Sequence, residues 1–428
     1  MVSFRSSLRV LFYFSRVCGL APLAINFKNS LEEISQSRFG VIYSILMGIT
    51  YGAFHVTSSL FNLDEKADSN IITNIINYYN RYSRLLLFWI CIVNAIVNQK
   101  KIIRALQLIE NVDRLFANDL GYRVSHIKFS RLVLLEIFVY LASTFALEWN
   151  NCLMYITGIG VYNNYCMSMC LIPLIVANAD QILFINLIYL IKERLALGSK
   201  FFQERIRLTK QRKKDQDKLN GQLLKTINIL YYFEHEMETT AAKVKMVQGK
   251  YSRGNIQTLS LGYSRLHEAT QLINTAYGIP NVCSIFIRFV TLTTLAYSSC
   301  MRLLKLDNFD DDLDHNEHRA MSKVPGIVGW ILLNIAEIVI FCYVCHRLRE
   351  EGRYIGQHLQ YYRVENSHQG DVEAAIDAFT RQLMHQHVEI APCGFFTVDL
   401  TFVLALVATV TTYIMILIQF DISQKAQN

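Results

Sequence analysis

The sequence predicts an all-α, polytopic membrane protein with seven transmembrane helices, from its composition and its long apolar stretches. Hydrophobic residues make up 52% of the 428 positions and charged residues only 18%, which is too apolar for an ordinary soluble enzyme. The whole sequence contains five prolines, which favours long helices over a string of small domains. We therefore expect one integral membrane domain.

Seven apolar stretches have the ~20 residues that a helix needs to cross a bilayer. The second stretch is the least regular, because Arg81 and Arg84 fall in its first turns. The stretches lie at about 39–60, 78–97, 132–149, 167–191, 279–300, 324–345 and 395–420.

Lysine and arginine residues concentrate in alternate connections between these spans. Because such residues are retained in the cytoplasm, the N-terminus is predicted to lie inside and the C-terminus outside. The intervening connections are uncharged at 150–165 and acidic at 307–317, and are predicted to be external. The net charge of +7 is therefore explained by topology, and no nucleic-acid partner is expected. The basic residues include Arg5 and Arg9 before the first span, Lys100 and Lys101 after the second, Arg212 and Lys213 after the fourth, and Arg347 and Arg349 after the sixth.

The connection between the fourth and fifth spans, residues 192–277, contains apolar residues at helical spacing. We expect it to extend both spans as helices beyond the membrane. The spaced residues are Leu219, Leu223, Ile227 and Leu230.

The last span ends on two polar pairs, Thr412-Tyr413 and Gln419-Phe420, separated by five apolar residues. A helix turns by about 100° per residue, so Ala405, Thr412, Ile416 and Gln419 share one narrow stripe. Lipid offers no hydrogen-bond partner to the polar members of this stripe, which should therefore face protein or water. The stripe either lines a pore shared between subunits or bonds a neighbouring helix of its own subunit.

This spacing of Thr-Tyr and Gln-Phe resembles the C-terminal signature of insect gustatory receptors. The resemblance implies a ligand-gated, non-selective cation channel, in which a homotetramer or a heterotetramer with related receptors surrounds the last helix. It implies that a small nonvolatile tastant, a bitter compound or a sugar such as fructose, opens the channel in the plasma membrane of sensory neurons. The predicted N-terminus inside is the reverse of a G-protein-coupled receptor and agrees with this family. The implied pore and gate residues are Thr412, Tyr413, Ile416, Gln419 and Phe420.

The resemblance also implies how the chain is divided. Residues 1–370 would form the ligand-binding bundle with its cytoplasmic extensions, and residues 371–428 an anchor helix followed by the pore-lining helix. In this family the extensions and the anchor helix form an intracellular anchor where subunits meet. No enzymatic activity and no cofactor are implied; the expected partners are the tastant, permeating cations and the lipid bilayer. Two other functions stay open, namely a receptor that signals through intracellular partners and a small-molecule transporter.

Five ionisable residues in the spans stand out, since each costs roughly 2.5–3.5 kcal/mol at a helix centre unless it is paired or hydrated. Glu136, Arg288 and Asp399 lie at comparable depths in the predicted inner halves of their spans. We expect an ion pair among these three, with either a structural or a gating role. The other two ionisable residues are Asp180 and Glu337.

A ligand that arrives from outside meets the outer halves of the spans, where aromatic and polar residues occur together. Such a mixture suits a small organic molecule. The alternative interpretation is the belt of Trp and Tyr that membrane proteins place at the bilayer interface. The candidate ligand-binding residues are Tyr140, Glu148, Trp149, Asp180, Tyr297, Trp330 and Asn334.

Other chemistry finds little support in the sequence. It contains no P-loop, dinucleotide fingerprint or nucleophile elbow. His385 and His387 lack the spacing of metal ligands on one helix face, so no metal site is expected. Cys152 and Cys166 flank an uncharged external loop, and their spacing leaves open whether they form a disulfide.

Overall fold

The computed structural model describes residues 4–21, 23–28, 31–61, 71–122, 124, 126–155, 160–226, 234–307, 314–365 and 370–427, with side chains at most of these positions. Ten α-helices and one hairpin are assigned in these ranges. In chain order they are α1 (Phe4–Val17), β1 (Leu23–Lys28), β2 (Leu31–Gln36), α2 (Arg38–Phe61), α3 (Ile71–Val97), α4 (Gln99–Leu115), α5 (His126–Tyr155), α6 (Gly160–Thr226), α7 (Glu234–Asp307), α8 (Asp314–Glu365), α9 (Gly370–His385) and α10 (Leu400–Gln427).

The predicted fold class is confirmed. The seven predicted spans fall on α2, α3, α5, α6, α7, α8 and α10. Over the described residues, six helices are long and apolar enough to cross a membrane. The number is seven if Tyr82–Val97 of α3 and the following Gln99–Leu120, which meet at a 63° bend, are counted as one span.

Helices α6 and α7 extend far beyond a bilayer, as the sequence predicted. They contain 67 and 74 residues, so they are about 100 and 110 Å long at 1.5 Å per residue. A bilayer core is only about 30 Å thick. The remaining length packs with α4, with the end of α8 and with α9 to form the anchor.

The hairpin β1–β2 was not predicted. Its two strands pair antiparallel, with Leu23 opposite Gln36 and Lys28 opposite Leu31. Each strand has only six residues, and a search for apolar stretches of about 20 residues does not detect such short segments.

A buried ion pair ties α6 to α4 inside the anchor. The guanidinium of Arg194 donates two hydrogen bonds to the Asp113 carboxylate, at 2.9 and 2.7 Å, and its side chain is 1% exposed. The ring of Phe4 from α1 lies 5.4 Å from the same guanidinium. Because a buried charge is stable only with its partner, this contact fixes the relative position of the three helices.

Close packing of α2 on α3 depends on two glycines. A Cβ atom at Gly48 or Gly52 would lie 2.9 or 2.8 Å from the ring of Trp89. Both glycines fall on one face of α2, one turn apart, so the indole packs directly against the helix backbone there.

The segment between α9 and α10 is held by α7, which positions the start of α10. The Tyr263 hydroxyl donates to the Gln386 carbonyl at 2.7 Å, and the Ala391 N–H donates to Asn274 Oδ1 at 3.2 Å. Cys393 turns the chain with a φ of 52° and lies directly beside Gly278. A Cβ atom at Gly278 would lie only 3.1 Å from the backbone nitrogen and the Sγ of Cys393. Asp399 then accepts the backbone N–H groups of residues 401 and 402 as the N-cap of α10.

Candidate ligand site and pore helix

A polar cluster lies between α3, α5 and α8. The fully buried carboxylate of Glu148 accepts a hydrogen bond from Arg84 Nη1 at 3.1 Å. The Arg84 guanidinium also lies 5.8 Å from the ring centroid of Trp330. Helices α5 and α8 approach closely here, since a Cβ at Gly329 would lie 2.6 Å from Leu147. We call Arg84, Glu148 and Trp330 the outer polar cluster, because all three fall in the predicted outer halves of their spans.

Two buried atoms of the outer polar cluster have no hydrogen-bond partner among the described residues. They are Glu148 Oε2, an acceptor, and Trp330 Nε1, a donor. Buried polar atoms are nearly always hydrogen-bonded to protein or water, so an exception needs an explanation. A bound molecule or water that offers both a donor and an acceptor would satisfy these two atoms.

The candidate ligand-binding residues are only partly brought together. Thr144 and Tyr140 lie one and two turns from Glu148 on the buried face of α5, and Asn334 lies one turn from Trp330 and donates to its carbonyl at 2.8 Å. Asp180 lies apart from them, beside the Cys91 thiol of α3. The remaining candidates are Trp149, which is 45% exposed and stacks on Phe145 at the surface, and Tyr297, which is buried on α7.

A second polar network surrounds Arg288 of α7, which is 8% exposed. Its guanidinium pairs with Glu337 of α8 and donates to Asn178 and to Gln181 of α6. Asn178 in turn donates to the Tyr140 hydroxyl of α5. One buried guanidinium thus contacts side chains of two neighbouring helices and reaches a third through an amide.

The predicted pairing of Arg288 with Glu136 and Asp399 is wrong. Glu136 accepts a hydrogen bond from Asn186 at 2.8 Å, and Asp399 pairs with Arg349 at 3.2 Å. Comparable depth does not make residues neighbours, because contact also requires that helix rotation turns the side chains toward each other.

The sequence analysis missed Arg84 and Asn178 as site residues. Arg84 carried a usable signal, since an arginine inside a span needs a buried acidic partner or water. Asn178 carried none, because a neutral amide in a span is common at helix contacts. The side chains of Cys152 and Cys166 lie outside the described residues.

Helix α10 presents the polar stripe away from the rest of the subunit. In the most apolar 18-residue stretch of α10, 6% is buried inside the subunit, whereas 67% of the corresponding stretch of α6 is buried. The residues packed on the bundle include Leu406 and Val410, on the opposite side from Thr412 by the 100° rotation. All four stripe residues are exposed, namely Ala405, Thr412, Ile416 and Gln419.

The polar groups of this stripe make no described bond to another helix of the subunit. Thr412 donates to the Ala408 carbonyl of its own helix at 3.0 Å, and Gln419 is exposed. At the flank of the stripe, the Tyr413 ring lies edge-on to Phe289 of α7 at 5.7 Å. Ile416 and Phe420 are also exposed, at 51% and 60%.

The fold and these contacts define a polytopic membrane protein with a buried polar site and an exposed apolar terminal helix. The profile of the 7tm chemosensory receptor family matches residues 8–424. The chain therefore belongs to the 7tm chemosensory receptor family, and it is a receptor rather than an enzyme.

Two comparisons agree with this membership. The chain is 23% identical over 182 residues to a Drosophila melanogaster protein designated gustatory receptor 2a, and the match spans 39% of this chain and 41% of that relative. The fold is similar to that of the olfactory receptor OR5 from Machilis hrabei, solved in complex with eugenol. That likeness has a TM-score of 0.62 at 16% identity and covers 97% of this chain and 98% of the other.

Proposed function

We propose that this chain is a gustatory receptor that works as a ligand-gated, non-selective cation channel, with four subunits around an axis lined by α10. The observation that carries the proposal is the exposed stripe of Ala405, Thr412, Ile416 and Gln419 on a predominantly apolar helix. Water at a shared axis would hydrate the hydroxyl and amide, which lipid cannot do. Ile416 and Phe420 would close the pore by excluding water from a narrow apolar ring.

The ligand is proposed to bind from outside at the outer polar cluster. A neutral polyhydroxylated molecule fits the two unsatisfied atoms best, because one hydroxyl can donate to Glu148 Oε2 and a neighbouring hydroxyl can accept from Trp330 Nε1. This favours a sugar such as fructose over an apolar bitter compound. Glu148→Gln should then weaken the response to fructose by about tenfold or more in effective concentration, since a hydrogen bond to a charged group contributes about 1.5–3 kcal/mol.

The pore assignment is tested by recording currents from the full-length receptor in a heterologous cell. Gln419→Ala and Phe420→Ala should change single-channel conductance or basal opening. Val407→Ala is the matched control, because Val407 is also exposed but lies on another side of α10. Equal and trivial effects of all three changes would contradict the pore, and saturable uptake without current would favour a transporter.

Orientation separates the channel from a receptor that couples to intracellular partners. We propose that the N-terminus and the anchor lie in the cytoplasm of the sensory neuron, in agreement with the basic connections. An epitope tag placed before Met1 should be inaccessible to antibody on intact cells. Staining without permeabilisation would refute this topology.

A further inference from the structure

Arg288 lies between the outer half of the bundle and α10, and its contacts run in both directions. Toward the ligand side, Asn178 bridges the guanidinium to the Tyr140 hydroxyl, which lies next to the Thr144 hydroxyl. Thr144 is one turn from Glu148 on the same buried face of α5. The buried hydroxyls of Tyr140 and Thr144 therefore lie between the outer polar cluster and Arg288, and the Thr144 hydroxyl has no hydrogen-bond partner among the described residues.

Toward the pore side, the connection runs through the next residue of α7. Phe289 follows Arg288 directly and lies edge-on against Tyr413 of α10, with 5.7 Å between ring centroids. Helix α10 has few buried residues in its apolar stretch, and this ring contact is one of those that join it to α7. Any rotation of α7 that moves Arg288 also moves Phe289, because consecutive residues share one rigid helix.

The chemistry of Arg288 makes its position sensitive to Asn178. A buried guanidinium must keep partners for its donors, since an unpaired buried charge is strongly destabilising. Its other partners are Glu337, Gln181 and Ser284 on three helix faces. A cavity of about 10 Å³, close to the smallest volume that holds one water, lies beside Arg288.

We propose that Tyr140, Asn178, Arg288, Phe289 and Tyr413 form a coupling network that transmits occupancy of the outer polar cluster to α10. A ligand that engages the Tyr140 hydroxyl changes the pairing of Asn178, Arg288 then redistributes its bonds, and α7 shifts Phe289 against Tyr413. The direction of this coupling rests on the proposed channel function, whereas the mechanical link between Asn178 and α10 does not. The network supplies a two-state element whose equilibrium the ligand and the pore helix both bias.

The test uses the full-length receptor on the cell surface and requires no ligand. A Thr412→Cys variant reports the position of α10 through its rate of modification by a membrane-impermeant biotin maleimide, with the parent protein as the blank. Adding Asn178→Leu, which removes the amide but keeps similar volume, should change that rate by about threefold or more. Basal open probability should change in parallel.

Asn186→Leu is the matched control. Asn186 is a buried asparagine two turns further along the same helix, and its amide bonds Glu136 rather than Arg288. Added to Thr412→Cys, it should leave the labelling rate and the open probability within about twofold of those of Thr412→Cys alone. Thermal stability in detergent, measured for both variants, shows whether a change reflects general unfolding.

A double-mutant cycle tests whether Asn178 acts through the ring contact. Asn178→Leu and Phe289→Leu should be non-additive in open probability by about threefold or more if both changes act through one network. Additive effects, or an Asn178→Leu variant that behaves like Asn186→Leu, would overturn the coupling network even if the wild type conducts. If the receptor carries no current but the labelling rate of Thr412→Cys still responds to Asn178→Leu, the channel is refuted and the mechanical link is retained.

Discussion

Arg288 is stable in the bundle only while Glu337 compensates its charge. Arg288→Ala removes the cation and leaves a buried carboxylate, which should cost roughly 3–5 kcal/mol. This is a large part of the ~5–15 kcal/mol that stabilises a typical folded protein, so we expect much less receptor at the cell surface. Surface biotinylation against total protein measures this loss.

The control for this prediction replaces both partners. The double change of Arg288→Met and Glu337→Met substitutes two apolar side chains for the pair and should recover most of the surface expression, because no charge stays buried and unpaired. If the double variant is no better than Arg288→Ala, the loss comes from the other contacts of Arg288 with Asn178 and Gln181.

Gly48 is important because it has no side chain. A methyl group there would lie 2.9 Å from the Trp89 ring, so Gly48→Ala must displace the indole and should cost roughly 1–3 kcal/mol. Gly254→Ala is the control, since a Cβ at that helical position meets nothing within 4 Å. It should be neutral or stabilising by up to about 1 kcal/mol. Melting temperatures of the detergent-solubilised proteins compare the two, and equal shifts would contradict the packing argument.

At the scale of an element, the segment that links α9 to α10 depends on a histidine in α7. His267 bonds the backbone of His387, and its buried Nδ1 has no hydrogen-bond partner among the described residues. It lies 12 residues before the predicted span 279–300, hence about 18 Å outside it along the helix. Burial lowers the pKa of His267 below its ordinary value of 6.5.

The lowered pKa of His267 determines how the stability of the folded protein changes with pH. Below pH 6.5 the unfolded chain binds a proton at this histidine more readily than the folded chain, so acidification removes stability that is fully present above that pH. The melting temperature of the purified receptor should therefore fall less between pH 8 and about pH 5.5 in His267→Gln than in the wild type. His385→Gln, which changes an exposed histidine of α9, should keep the wild-type dependence. An unchanged dependence in His267→Gln would assign the acid sensitivity to other groups.

The elements differ in how far the sequence predicts them, for physical reasons. The spans and the extensions of α6 and α7 were predictable, because a length of apolar residues and a helical period are properties of one segment. The Arg288–Glu337 pair was not, since it depends on the rotation of α7 against α8. The hairpin β1–β2 was missed because its short strands carry no apolar run of membrane length.

At the scale of the whole molecule, one subunit leaves an unusual surface uncovered. Helix α10 packs on the bundle through one side only, and its opposite side carries hydroxyl and amide groups within an apolar segment. A single subunit surrounded by lipid would expose these groups to hydrocarbon, which is unfavourable. Four copies around an axis remove the problem, because the stripes then face water and each other. Oligomerisation and the pore are thus one proposal about the same surface.

A cysteine at Thr412 tests that proposal without any assumption about the ligand. Four thiolates brought to one axis can share a single Cd²⁺ ion, because soft thiolate ligands bind such a metal well, whereas one isolated thiolate binds it weakly. Basal current through Thr412→Cys should therefore be blocked by micromolar Cd²⁺ and restored by a chelator. Val407→Cys places its thiol on another exposed side of α10, so the same treatment should leave its current unchanged. Block of both variants would show that Cd²⁺ acts elsewhere, and block of neither would mean that the stripe of α10 does not converge on a conducting axis.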